Sequence, residues 1–95
     1  MTLLENTYAQ LRNAGLVNCA EAFSRHYLHK NKNWFAFQRH TGRDFSVNAA
    51  IQCLRTTRTQ QHATHLTSTQ RHALQHTETQ LMDYLHAHHS IAEVA

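Results

Sequence analysis

Apolar residues recur along the first half of the chain as short helical stripes separated by polar punctuation. Leu3, Leu4, Tyr8 and Leu11 share one helical face, Thr2 is placed to cap it, and Asn13-Ala14-Gly15 closes it with glycine in the left-handed position. Asn18 is placed to cap a second helix, Cys19 to about Leu28, with Ala22, Phe23 and Tyr27 as its apolar positions. His29-Lys30-Asn31 breaks the period. Asn31 then caps a third helix from Lys32 to about His40, and Gly42 stops it. Ser46 caps a fourth, in which Val47, Ala50, Ile51 and Leu54 fall at i, i+3, i+4 and i+7. Residues 1–58 are thus predicted to be four short helices with tight joints.

Residues 59–80 change character: Thr, Gln and His fill 15 of the 22 positions, which reads as a connector running into a weakly apolar helix. Thr67 followed by Gln70 has the form of a capping box. Beyond it Leu74, Leu81, Tyr84, Leu85, His88 and Ile91 trace one face of a helix from about 68 to 90. Such a helix is ~35 Å long at 1.5 Å per residue, more than a four-helix head of this size is expected to cover. Its seam therefore predicts a homodimer, with folding back on the same domain as the alternative. The chain divides on this reading into a head, 1–58, and a connector with a dimerisation helix, 59–95.

Composition agrees with an all-α class: a compact four-helix N-terminal bundle plus a long C-terminal helix. Ninety-five residues with no proline and two glycines lack the turn punctuation that an all-β chain needs. Net charge is only +3, but it is unevenly placed. Residues 25–58 carry Arg25, Lys30, Lys32, Arg39, Arg43, Arg55 and Arg58 against Asp44 alone, while the flanking segments are slightly acidic. A basic middle of this kind points to a polyanion, a solvated charged face being the plain alternative. Cys19 and Cys53 are too far apart for a CxxC motif and sit in apolar stretches, as reduced buried thiols do. The start MTLLENTY has no basic, apolar leader, and no run approaches the ~18 apolar residues of a membrane span, so a soluble, cytoplasmic protein is expected.

The basic segment coincides with a sequence motif. Residues 20–54 read AEAFSRHYLHKNKNWFAFQRHTGRDFSVNAAIQCL. This stretch, a little over a third of the chain, resembles the helix-turn-helix of the Cro and phage-repressor-like superfamily of DNA-binding proteins. The resemblance implies that Phe23, Ser24, Tyr27 and Leu28 form the buried side of a scaffold helix. It makes Lys30-Asn31-Lys32-Asn33 the polar joint and the start of a recognition helix, and Trp34 and Phe37 that helix's core-facing residues. Gly42, Arg43 and Ser46 then lead into a helix that packs across the pair. The glycine often found in the turn of this motif is absent, and His29 stands at about that place.

A helix of this kind fits the major groove, where side chains of its first turns reach base edges. Asn31, Lys32, Asn33, Ala36 and Arg39 are the expected base-facing positions: Asn33 suits adenine, and Lys32 and Arg39 suit guanine or phosphate. Arg25, Lys30 and Arg43 lie around the motif, where phosphate contact is the expected role. Phe35 is left as a rim residue or a contact in its own right.

Histidine pairs at helical spacing are His26/His29, His62/His65, His72/His76 and His86/His89, yet no cysteine or carboxylate completes a tetrahedral set, so no metal site and no cofactor are expected. Protonating all ten histidines would raise the charge from +3 to +13. The carboxylates are scattered and no glycine-rich phosphate loop is present, so no enzyme is expected. The predicted function is a small dimeric, sequence-specific DNA-binding protein, a transcriptional repressor or autoregulator. The alternative is the same scaffold used as a protein-interaction module, a phage-type inhibitor or adaptor. A metal-responsive regulator built on the histidines of the last helices is a third reading.

Overall fold

In the computed structural model, which describes residues 1–89, helix α1 (Leu3–Asn13) opens on a reciprocal capping box. Thr2 Oγ1 accepts from the Glu5 N–H at 3.2 Å, and Glu5 Oε1 accepts from the Thr2 N–H at 3.1 Å. Asp44, far along the chain, completes the cap: its carboxylate accepts from the Leu4 N–H at 2.8 Å and the Leu3 N–H at 3.2 Å. The first three helical N–H groups therefore all have acceptors, and the carboxylate sits at the positive end of the helix dipole. Gly15 takes the left-handed position after the helix, φ +79°.

Helix α2 (Ala20–Ala22) starts one residue later than its sequence suggests, with Cys19 rather than Asn18 at the N-cap and no side-chain cap bond. It runs directly into a π-helical turn, Phe23–Tyr27, closed by the Leu28 N–H donating to the Phe23 carbonyl at 3.2 Å. Phe23, Ser24, Tyr27 and Leu28 all face the core, as the resemblance implies. Connection 28–33 turns the chain sharply. His29 adopts φ +55° there, the left-handed conformation that glycine would take without penalty.

Helix α3 (Trp34–His40) begins two residues later than expected. Asn31 does bond forward, its Oδ1 accepting from the Asn33 N–H at 2.9 Å, but this forms a turn ahead of the helix. Asn33, at the N-cap, makes no side-chain cap bond. The helix is capped from elsewhere: buried Ser24 Oγ accepts from the Phe35 N–H at 3.0 Å. Gly42, φ +71°, ends the segment as expected. Helix α4 (Val47–Gln60) is capped by Ser46, whose Oγ accepts from the Ala49 N–H at 3.2 Å. Helix α5 (Ser68–His89) opens on the predicted box, Thr67 and Gln70 exchanging bonds of 3.1 Å. Over the described residues the chain is all-α, with no strand.

α5 doubles back along α4 and also packs on α1. Leu74, Leu81 and Leu85 are fully buried in one hydrophobic cluster with Leu4, Leu11, Phe23, Leu28, Phe35 and Leu54. Tyr84 is half-buried, and its hydroxyl donates to the Phe45 carbonyl at 3.0 Å; the His88 ring lies 4.6 Å from the Tyr84 ring. Ile91 and the side chain of His89 lie outside the described residues. The leucine seam expected to meet a second copy is thus covered by its own chain, and the cluster joins residues of both expected segments. The length argument fails for a physical reason. At 1.5 Å per residue α5 is ~33 Å long, and the molecule's longest dimension is 34 Å. Burying each leucine contributes roughly 1.5–3 kcal/mol, and within one chain that gain carries no cost of association.

The α4–α5 joint also carries an ion pair. Arg58 Nε donates to Glu78 Oε2 at 2.8 Å, and Gln61 Nε2 donates to Glu78 Oε1 at 2.8 Å. The Gln61 amide first, and then Arg58, hold the Glu78 carboxyl below the ordinary glutamate range. A carboxyl depressed in the folded state contributes stability above the ordinary pKa and loses it as pH falls through the folded value. With both side chains about a third exposed, the contribution is about 0.5 kcal/mol. On acidification from pH 6 to pH 3, the parent should therefore lose a few degrees more in Tm than Glu78→Gln. Equal losses in the two would show that the joint does not draw on this ionisation. At the 28–33 connection, His29→Gly should raise Tm. Relief of the left-handed strain is worth about 1 kcal/mol, or roughly 4–8 °C in a domain of this size. A fall in Tm would mean that the 3.3 Å contact of His29 Nε2 with Thr56 Oγ1 outweighs the strain.

Candidate nucleic-acid interface

The rotation of α3 decides which side chains this short helix presents. Phe35 is fully buried, its ring 5.1 Å from Phe23 in an edge-on arrangement and 4.7 Å from Tyr8. One turn on, Gln38 is also buried, and its Nε2 donates to the Asp44 carbonyl at 3.1 Å. Positions 35 and 38 therefore face the core, and 37 does not. The expectation for Phe37 is corrected accordingly: it is 56 % exposed, whereas Trp34 is partly buried and packs against the hydrophobic cluster. Phe35 is neither a rim residue nor a contact. The shift is a rotation of about 100°, one residue of helix.

At 100° per residue, Asn33, Ala36, Phe37 and His40 share the outward arc, and all four are exposed. Asn31, Lys32 and Arg39 are exposed as well. Asn31 spends its carbonyl oxygen on the turn. Arg39 lies at the edge of the arc and leans inward, its guanidinium 5.1 Å from the centre of the Phe35 ring. Lys30 is half-buried, with its ammonium 5.7 Å from the Trp34 ring. Arg25 and Arg43 are exposed. Sequence reasoning missed two residues of this arc, Phe37 and His40, and gave no site role to Arg55, which is exposed on α4. The aromatic run hid Phe37, because three rings in four positions do not reveal which one faces inward. Arg55 was visible as a cation of the basic segment.

Ion pairing around this face is sparse. Among the described residues one ion pair is present, and it uses Arg58. Among the described residues, Arg25, Lys30, Lys32, Arg39, Arg43 and Arg55 have no carboxylate within salt-bridge distance. Asp44, the single acidic residue of the basic segment, is turned onto the N-terminus of α1.

A concavity lies elsewhere. A groove of about 480 Å³ between α1 and α5 is lined by Asn6, Gln10, Asn13, His72, His76 and Gln80 among others, and includes none of the expected site residues. The His72 and His76 rings are 6.4 Å apart there. Among the described residues no three His, Cys, Asp or Glu side chains are grouped to hold a metal ion. Cys53 is buried, and burial pushes its thiol up to about 12, which suppresses the reactive thiolate; Cys19 is exposed, against expectation. No described helix is long and apolar enough to cross a membrane.

Comparison with curated proteins and comparison with solved structures each gave no match. Residues 4–94, nearly the whole chain, match a protein family of unknown function (DUF6626), and the chain belongs to that family.

Proposed function

We propose that this protein binds double-stranded DNA through the outward face of α3 and acts by occupancy, as a small repressor or autoregulator. The observation that carries the reading is that Arg25, Lys30, Lys32, Arg39, Arg43 and Arg55, on and flanking α3 in the sequence, have no carboxylate within salt-bridge distance among the described residues. An unpaired cationic surface of this kind attracts a phosphate backbone and gains from counterion release. Asn33, Ala36, Phe37 and His40 provide the base-facing arc, flanked by Lys32 and Arg39. Arg25, Arg43 and Arg55 suit phosphates. Pairing of two copies on a palindromic site would need a surface other than Leu74, Leu81 and Leu85, which are buried inside the chain.

A second reading rests on Phe37. An exposed phenyl group also suits an apolar anchor for a protein partner, as an inhibitor or adaptor would use. The two readings differ in salt dependence and in what is bound.

The test is quantitative binding to duplexes selected from a random pool. Lys32→Ala and Arg39→Ala should each weaken binding to a similar degree across sequences and lower the salt slope by about 1, as loss of a phosphate contact does. The fold should survive, because both side chains are exposed. Affinity of the parent should fall steeply with salt, by about 0.9 log units per contacted phosphate for each tenfold rise. Parent-like binding by both variants at matched salt would refute the interface. Salt-insensitive capture of a protein, abolished by Phe37→Ala and without any duplex bound, would favour the second reading.

A further inference from the structure

Resting on the duplex-binding reading, we infer that Phe37 determines specificity by laying its ring against the C5-methyl of a thymine, beside an adenine held by Asn33, so that α3 prefers A·T pairs. Phe37 is 56 % exposed, and Met1 at the chain start is the other large apolar side chain so exposed among the described residues. Its exposure is not accidental looseness in the helix. Phe35 and Gln38 occupy the inward positions with a ring cluster and a hydrogen bond, and this leaves position 37 no route to the core.

The neighbours of Phe37 say what it would meet. Asn33 precedes it by four residues, so the two side chains lie on one face about 6 Å apart along the axis. Successive bases along one strand are about 3.4 Å apart, so the pair spans roughly two base steps. The major groove presents adenine as an acceptor and donor pair that an asparagine amide matches, and thymine as a methyl group that an apolar side chain covers. Asn33 and Phe37 together carry both halves of that code. The arc that they share with Ala36 and His40 holds no lysine or arginine to favour guanine, since Arg39 is drawn toward the Phe35 ring. The cations instead surround the arc, where they hold the backbone without choosing a sequence. The apolar tip and the cationic surround fit an A·T-containing duplex as occupant.

The experiment starts from the duplex that the parent selects from a random pool and replaces its thymines singly with deoxyuridine, which removes only the methyl group. Parent, Phe37→Ala and Phe37→Leu are titrated against both forms at matched salt. The parent should select A·T pairs and lose about fourfold in affinity at one or two deoxyuridine positions, the cost of exposing a buried methyl-sized group. Phe37→Ala should bind the two forms equally while keeping the parent's salt slope. Phe37→Leu should retain the preference. Equal binding of thymine and deoxyuridine duplexes by the parent would overturn the inference and leave duplex binding standing. Failure to select any duplex would remove both, and Phe37-dependent capture of a protein instead would assign the ring to that partner.

Discussion

Burial of the Phe35 ring is the constraint from which the exposed surface follows. A helix of seven residues has little stability of its own and takes its rotation from whatever it buries. Here the ring closes an aromatic cluster with Tyr8 and Phe23, and its own backbone N–H is received by Ser24 from within that cluster. Both interactions are lost together if α3 rotates. With 35 and 38 turned inward, the outward positions are fixed as 33, 36, 37 and 40. The helix that carries the proposed contacts is thus held by the core rather than by its own propensity.

Polar side chains acting over long sequence distances make this arrangement rigid. Asp44 caps α1 while Gln38 holds the Asp44 carbonyl, so the end of α3 and the start of α1 are joined through one residue. Tyr84 reaches from α5 to the Phe45 carbonyl beside it. Arg58 and Gln61 clasp Glu78 across the α4–α5 joint. These bonds also shape the electrostatics. They place the acidic residues Asp44 and Glu78 in structural roles and leave most of the cations of residues 25–58 facing outward. A surface can be basic in a protein of net charge +3 when the acidic residue nearest to it in sequence, here Asp44, is committed to capping another helix.

Much of the fold was legible in the sequence because its signals are local. Thr2, Ser46 and the Thr67/Gln70 pair cap the helices that they were expected to cap, and Gly15 and Gly42 take positive φ after theirs. His29 stands where the resemblance leads one to look for glycine, and it adopts glycine's conformation. What failed depended on partners distant in sequence. The start of α3 was misplaced because its acceptor is Ser24 and not a neighbouring asparagine. The inward face was misjudged because Gln38 looks solvent-exposed until the Asp44 carbonyl is brought beside it. The leucines of α5 read as a seam for a second copy because nothing local reveals that α4 continues to Gln60 and offers them a surface. Of the candidate site, the cations were legible as a cluster, while the place of Phe37 on the face was not.

Whether the face of α3 meets DNA can be read residue by residue on the isotope-labelled protein. Amide chemical shifts would be followed by NMR at low salt while a mixed-sequence duplex is added. A duplex docked on this face should shift residues 31–43 most, with smaller changes at Arg25 and Arg55, and the changes should reverse when salt is raised. The groove lined by His72 and His76 should stay quiet. An unchanged spectrum, or changes confined to that groove, would contradict the account.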